Sequence, residues 1–525
     1  MPSLAPVIMV RCAQVHFVSA PSTMPVNPDI NYTAVLPEIC LTATGLVVMM
    51  YDAFARESRR WAGLIVLGGL GLAAYGVWRW VGLSPGSSFN GMLVTDPLRT
   101  AFAFVLLLVA ALSALLAMPT FGHQSKSGGE YFALLTFATV GMLLIAGAGD
   151  LAMLFLGIEI LSIASYAMAG FRRSDLRSNE AAVKYFILGS FSTGFLVYGM
   201  ALVYGATRTT NLKTIQIVVQ NGNLTSESLL LTGAALMLVG LCFKAAAAPF
   251  HLWAPDVYQG APTPVTAFMA AGPKAAAFVA LLRVFAEMFP AEAGALHQTW
   301  TLILATVAVL SMVIGNVVAI VQDDIKRMLA YSSIAHAGYA LLGVIVGDWK
   351  ATLFYLAGYA VITLGAFAVV AYVAREDDRQ TLILDYAGLG FQAPGAAVAL
   401  AVFLLALGGL PLTAGFMGKF VLFREVWQGG YAELVIVAVL NSAVSLYYYL
   451  RPIVTMFFQE GRQNEDELPD LPWTLTTVLS VTLAAVFYLG IFPEPILAGL
   501  TRKVESAPAG ELPRATPLPR AMPGR

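Results

Sequence analysis

Charge is the scarce ingredient of this chain. Only 12% of its 525 residues are Asp, Glu, Lys or Arg, against about 25% in an ordinary soluble domain, and the deficit runs along the whole length. Acids and bases nearly cancel, 31 against 30, so no basic footprint exists for nucleic acid and that class of partner is excluded. Cysteine is almost missing. Cys12, Cys40 and Cys242 stand far apart without a Cys-x-x-Cys pair, which excludes a disulfide framework and a thiolate-held iron–sulfur cluster. Five scattered histidines do not make a haem-binding bundle. No Gly-x-Gly-x-x-Gly or P-loop stands between a strand and a helix, so nucleotide binding has no support.

What is abundant is apolar. Hydrophobic residues make up 58% of the chain and the mean hydropathy is +0.75, so a bilayer is its main solvent. Apolar runs of about 18 to 25 residues, long enough to span, recur at 32–52, 62–82, 98–118, 131–149, 151–170, 183–206, 228–250, 264–287, 300–321, 328–347, 351–374, 397–423, 433–457 and 473–495. The pattern predicts an all-α polytopic membrane protein of about fourteen helices. Residues 1–30 are too polar to span and lack a cleavage signal; they read as an extension, with Met24 an alternative start. The tail at 504–525, rich in proline and polar residues, reads as disordered.

Basic residues alternate between loops. Arg56, Arg59 and Arg60 follow the first run, Arg172, Arg173 and Arg177 the fifth, Lys326 and Arg327 the ninth, Arg375 and Arg379 the eleventh. The opposite loops hold chiefly Arg208, Lys213 and Lys350. The positive-inside rule then puts both termini outside the cytoplasm. Two runs are broken, the seventh at Pro249 and the twelfth at "GGLPLTAGFMGKF". They are five runs apart, and an odd offset inverts one copy relative to the other, as in the inverted repeats of many transporters. The implied boundaries are helices 1–3 at 31–130, a first repeat at 131–290, a second at 298–458 and a last helix at 473–495.

Ionisable residues inside the runs are the functional candidates, because a charge at such depth is costly. Glu159, in "LAMLFLGIEILSIASYAM", lies about nine residues, roughly 13 Å, into its helix. Lys244 precedes the first break, whose freed carbonyls are expected to serve it as partners. Lys274 sits mid-helix among alanines, too deep to snorkel. Lys419 follows the second break, where snorkelling competes with a buried role. Lys184 is only a few residues inside its run. His336, in "AYSSIAHAGYALLG", is either a core histidine satisfied by neighbouring serines or a proton carrier. Burial disfavours the charged form of an acid or an amine, and a nearby opposite charge favours it. Moving the acid toward or away from Lys244 would thus load or release its proton.

The string "FKAAAAPFHLWAPDVYQGAPTPVTAFMAAGPK", with "LFLGIEILSIASYAM" before it and "IKRMLAYSSIAHAGY" and "LPLTAGFMGKF" after it, resembles the antiporter-like membrane subunits of the proton-pumping NADH:quinone oxidoreductase, respiratory complex I, and among them the N type. The likeness spans about residues 30–500. Lys419 matches the N-type lysine where the M type carries glutamate, and no residues remain for the lateral helix of the L type. The extension has no counterpart there, and "KAAAAP" is smaller than most versions.

The resemblance implies roles. Glu159 is the acid facing the pump lysine, Lys244 that lysine, Lys274 the connecting lysine and His336 the bridge to the second half-channel. Lys419 is the exit-side lysine, and Lys184 a family lysine of less certain depth. It also implies that this chain carries no cofactor, with FMN, iron–sulfur clusters and quinone on other subunits. The implied partners are M-type, K-type and J-type subunits in a bacterial inner membrane, and the implied activity is proton translocation within a translocase. Two other readings remain at this level: a subunit of a multi-chain Na+/H+ antiporter, and a scaffold whose charges form static ion pairs.

Overall fold

A computed structural model of the protein describes residues 30–54, 61–121, 128–289, 294–375, 378–460 and 468–505. Cys12, Met24, Arg56, Arg59, Arg60 and nearly all of the N-terminal extension and C-terminal tail lie outside the described residues. The helices are α1 Leu36–Phe54, α2 Ala62–Trp78, α3 Pro97–Phe121, α4 Gly128–Ala146, α5 Leu151–Ala169, α6 Leu176–Thr207, α7 Leu212–Gln220, α8 Glu227–Ala245, α9 Trp253–Gly260, α10 Thr263–Leu281, α11 Ala295–Ala319, α12 Ile325–Ile345 and α13 Trp349–Ala374. The chain continues through α14 Leu389–Gln392, α15 Pro394–Gly408, α16 Ala414–Gln428, α17 Ala432–Phe458, α18 Trp473–Ile491 and α19 Glu494–Glu505. α19 thus reaches two residues into the stretch read as tail.

Among the described residues, twelve helices are long and apolar enough to cross a membrane. The remaining apolar runs are the shorter α2 and the interrupted pair α15 and α16. Helix starts follow capping chemistry: the side chains of Asp150, Asp175, Asn211, Ser226, Asp324 and Asp348 each accept an amide from the first turn of α5, α6, α7, α8, α12 and α13, which settles otherwise orphaned donors. α10 is buried along its whole length, and α12 and α13 nearly so; they are apolar all round because they touch protein on every side. α6 and α17 instead turn large apolar side chains outward, among them Phe186, Phe191, Tyr198, Val439 and Tyr447. Water would make that face costly; lipid does not. The protein is a multi-span membrane protein.

The two ends of the bundle are fastened by charge. At one end a hairpin, β1 Gly86–Ser88 with β2 Leu93–Thr95, continues its bonding to the α4–α5 link through Val94 N to Gly147 O, 2.8 Å, and Gly149 N to Met92 O, 2.9 Å. Beneath it Arg99, fully buried, holds Glu38 at 2.6 Å and lies 4.2 Å from the Trp80 ring. Arg283 grips Asp96 at 2.6 and 2.8 Å, and donates to the Ala146 carbonyl at the end of α4. At the opposite end Asp378 accepts from Arg172, 2.9 Å, and from the Thr263 amide, 2.8 Å, with Lys326 at 3.7 Å. α10 has no side-chain cap of its own, and Asp378, 115 residues downstream, supplies it in trans.

Burial alone would push the Asp378 carboxyl up, but Lys326, Arg172 and the Thr263 bonds outweigh it and hold the group below the usual carboxylate range. A carboxylate with a depressed folded value contributes stability that is fully present above its unfolded value, about 3.9, and is lost as pH falls through the folded value. Asp378→Asn is therefore expected to melt below wild type at pH 7 by about 1 to 3 kcal/mol, and the gap should close as pH drops below that unfolded value, read by thermal unfolding in detergent. At the hairpin end, Arg99→Met leaves Glu38 buried and alone, a loss of about 3 to 5 kcal/mol. Adding Glu38→Met should recover most of it in the same measurement.

Candidate functional site

Glu159, Ser162 and Tyr166 recur at positions i, i+3 and i+7 of α5 and so share one helical face. Glu159 is half-buried and accepts from the Thr193 hydroxyl of α6 at 2.9 Å. Lys244, in the last turn of α8, donates to Ser162 Oγ at 2.7 Å and Tyr166 Oη at 3.1 Å, with its ammonium 5.4 Å from the Tyr166 ring. The acid and the lysine thus use neighbouring turns of one face. Among the described residues no direct ion pair joins them.

α8 stops because Ala246 adopts a left-handed backbone, φ 55°, and Pro249 follows; the chain stays unwound until α9. The expected carbonyl partners for Lys244 are already taken. Cys242 O accepts from Ala247 N at 2.9 Å, and Phe243 O from the Trp253 indole at 2.9 Å. That is why this lysine reaches across to hydroxyls. Lys184 is placed elsewhere, half-exposed near the start of α6 and 2.7 Å from both Glu180 and Asp256. It does not join the buried row.

Lys274, enclosed at the centre of α10, donates to the carbonyl and hydroxyl of Ser333 on α12 and lies 5.4 Å from the Tyr359 ring. Tyr359 donates to the same Ser333 hydroxyl at 2.9 Å. One turn along α12, His336 meets Tyr355 Oη through Nδ1 at 2.6 Å and Tyr449 Oη through Nε2 at 3.2 Å, and the Tyr449 hydroxyl meets Ser332. The histidine is clasped by tyrosines of α13 and α17; a serine reaches it only through Tyr449. A neutral imidazole needs one nitrogen to donate and the other to accept. If Tyr449 gave its proton to one ring nitrogen and recovered one from Ser332, while the other nitrogen gave its proton to Tyr355 and Tyr355 passed its own on, the tautomer would swap and one proton would cross the ring.

At the second break Gly409 takes φ +98° and Leu412 φ +69°, and α16 restarts at Ala414. Here the lysine does take freed carbonyls: Lys419 donates to Leu407 O at 2.9 Å, Gly408 O at 3.2 Å and Ser442 Oγ at 2.7 Å. It is buried and faces the Tyr339 ring at 5.2 Å, so it does not snorkel. A cleft of about 580 Å³ runs from Lys419 and Ser442 to Arg424, Trp427 and Gln428. Glu159 with Lys244, and Lys274 with His336 and Lys419, are therefore two groups, and among the described residues no ion pair involves any of the three lysines.

The hydroxyl partners of the lysines were not among the sequence-based candidates. Ser162 and Tyr166 were findable as the i+3 and i+7 neighbours of Glu159, and Ser333 as the i−3 neighbour of His336. Tyr355, Tyr449 and Ser442 arrive from distant helices and carried no local signal.

The family profile described as "NADH:quinone oxidoreductase/Mrp antiporter, TM" matches residues 148–445, a span that contains Glu159, Lys244, Lys274, His336 and Lys419. The chain is 45% identical over 475 residues to a protein of Trichlorobacter lovleyi called NADH-quinone oxidoreductase subunit N, with 89% of this chain and 96% of that one covered. It is similar to a chain of respiratory complex I from Thermus thermophilus, at 36% identity and a TM-score of 0.75, with 88% and 99% covered. A chain of the Mrp complex from Dietzia sp. DQ12-45-1b shares the fold at 20% identity, with a TM-score of 0.76 and 90% and 97% covered.

A Cβ added at Gly415 would lie 1.7 Å from the Ala406 carbonyl oxygen, so only glycine lets α16 approach α15 this closely. Gly415→Ala is expected to destabilise by about 1 to 3 kcal/mol, while Gly395→Ala, in open space, should leave the melting temperature in detergent near wild type.

Proposed function

Because the chain belongs to the NADH:quinone oxidoreductase/Mrp antiporter family of membrane proteins, on the subunit N branch, we propose that its buried groups form the path by which it moves protons. As a subunit of complex I it is a proton-pumping component of the membrane arm, within a translocase. In this reading redox chemistry stays on other subunits, which carry FMN, iron–sulfur clusters and quinone, and this chain contributes the proton step.

The observation that carries the reading is the choice of partners. Arg99, Arg283, Arg172 and Lys184, at the ends of the bundle, are held by carboxylates. Lys244, Lys274 and Lys419 are held by hydroxyls and carbonyls. A static scaffold places an opposite charge beside each buried cation, since an unpaired one is costly. Hydroxyls are more versatile partners, because they accept from an ammonium and donate to a neutral amine and so serve both protonation states.

The path then begins at Glu159 and Lys244 on the α5 face. A change of charge near Glu159 alters the hold on the Lys244 ammonium, because Coulomb forces are strong where water is scarce. Two ammonium groups repel each other in the same medium, so a proton entering the Lys274 end of the second group favours release at the Lys419 end. His336 and its tyrosines lie between as the relay, and the cleft beside Lys419 is the way out. Driving one charge against the membrane potential takes about 2.3 kcal/mol per 100 mV, which quinone reduction supplies from outside this chain.

The placement follows the same reading. The chain lies in the bacterial inner membrane with both termini outside the cytoplasm, and the loops holding Arg172, Lys326 and Asp378 face the cytoplasm. Residues 131–290 and 298–458 are inverted repeats, each with one broken helix. M-type, K-type and J-type subunits are its neighbours. Glu159, half-exposed beside Leu156 and Ile163, needs cover from such a neighbour, because lipid solvates a carboxylate poorly.

The test is Lys244→Ala in membranes, with assembled complex quantified on native gels and quinone reduction and proton uptake measured together. The expected result is assembled complex with a lowered proton-to-electron ratio or the loss of both activities. Assembled complex with full rate and full ratio would overturn the reading.

A further inference from the structure

Between the two groups, where no hydrogen bond connects Lys244 to Lys274 among the described residues, the space is filled by rings. Tyr166, a partner of Lys244, meets Tyr185 edge-on at 4.7 Å, and Tyr185 stacks on Trp253 at 4.4 Å. Trp253 meets Tyr258 edge-on at 6.1 Å, and the fully buried Tyr258 faces Ser333, the partner of Lys274. Trp253 also holds Phe243 O, one residue before Lys244, at 2.9 Å. Both central rings belong to α9. Eight residues, cut from α8 by an unwound stretch, thus carry the ring contacts between the two groups, beside the direct packing of α10 on α8 and α5.

So short a helix does not fix its own position. Its buried face presents Trp253, Ala254, Val257 and Tyr258, while its polar side sends out Asp256 and Gln259. Asp256 lies 2.7 Å from Lys184 of α6 through one oxygen and 2.7 Å from Arg327 of α12 through the other. Gln259 accepts from the same Arg327 at 3.1 Å. α6 packs on the Lys244 side and α12 carries Ser333 and His336, so one carboxylate spans the two halves.

We propose that Asp256 is a positioning residue for transfer between the halves: it pins α9 between α6 and α12 so that Trp253 and Tyr258 hold the Lys244 and Lys274 groups in register. The two arms differ. Arg327 is held twice, by Asp256 and Gln259, and is the fixed arm. Lys184 has a second carboxylate, Glu180 of its own helix, at the same 2.7 Å, and can leave Asp256 while keeping that ion pair; it is the exchangeable arm. Withdrawal of Lys184 onto Glu180 alone frees α9 to tilt about Arg327, and so moves the rings that separate the two lysine groups. Half-exposed ion pairs add little to stability, so removing this one is expected to disturb register more than folding.

The proposal rests on the pump reading, and the experiment separates them. Asp256→Asn, Asp256→Glu, Lys184→Met, Arg327→Met and Lys244→Ala are compared as assembled complex in membranes, with proton-to-electron ratio and quinone reductase rate measured together. The expected pattern is normal assembly of Asp256→Asn with a drop in ratio comparable to that of Lys244→Ala, and recovery of most of the ratio in Asp256→Glu. Arg327→Met should match Asp256→Asn, the double variant of these two should be no worse than either, and Lys184→Met should lose less. A full ratio in Asp256→Asn beside a lowered one in Lys244→Ala overturns the positioning role and leaves the pump reading standing. A full ratio in Lys244→Ala overturns both. If Asp256→Asn fails to accumulate, Arg327→Met decides, and a normal ratio there sinks the proposal.

Discussion

Everything in this molecule follows from the poverty of partners inside a bilayer. A charge that leaves water loses more than almost any single contact returns, so each ionisable side chain here has a structure built round it. Two solutions appear. At the bundle ends, where Arg99 meets Glu38 and Arg172 meets Asp378, opposite charges neutralise each other and the arrangement is fixed. Midway, neutral oxygens surround an amine, and the arrangement tolerates two states. The first kind of solution holds helices together, and the second suits either protonation state of the amine.

The same constraint explains the broken helices. A helix interior has its backbone carbonyls already bonded, so Lys274 can only share the Ser333 carbonyl of unbroken α12, whereas a break beside a lysine frees carbonyls for it. Lys419 uses its break in this way. Lys244 does not, because the Trp253 indole and the returning backbone occupy the carbonyls first. The two breaks look alike in sequence and differ in use. One makes a pocket for a cation, and the other makes a short independent helix between two groups.

The architecture was legible in the sequence because each spanning helix must be about twenty apolar residues long, a signal read one segment at a time. The positions of Glu159, Lys244, Lys274, His336 and Lys419 were legible for the same reason: a lone ionisable residue stands out in an apolar run. What surrounds them was not. Tyr449 joins His336 across 113 positions, and hydroxyls of serine and tyrosine are common enough in membrane helices that only those at helical spacing from an ionisable residue stand out. Lys184 illustrates the converse, since position along a run does not give depth: its helix extends several residues beyond the apolar stretch, and the lysine ends at the surface with Glu180 and Asp256. Asp256 belongs to the string that carries the family likeness, but its bridging of α6 and α12 exists only in three dimensions.

The cap on α10 has a consequence for how the protein is made. The amide at the start of that helix finds its acceptor in Asp378, which emerges from the ribosome 115 residues later. During synthesis the helix carrying Lys274 must wait, already apolar enough to enter the membrane yet without its final anchor, until α13 has crossed and the following loop can return. The far end of the same helix can be fastened earlier, through Arg283 to Asp96, so a chain that halts before residue 378 contains Glu159, Lys244 and Lys274 but not the carboxylate that caps α10.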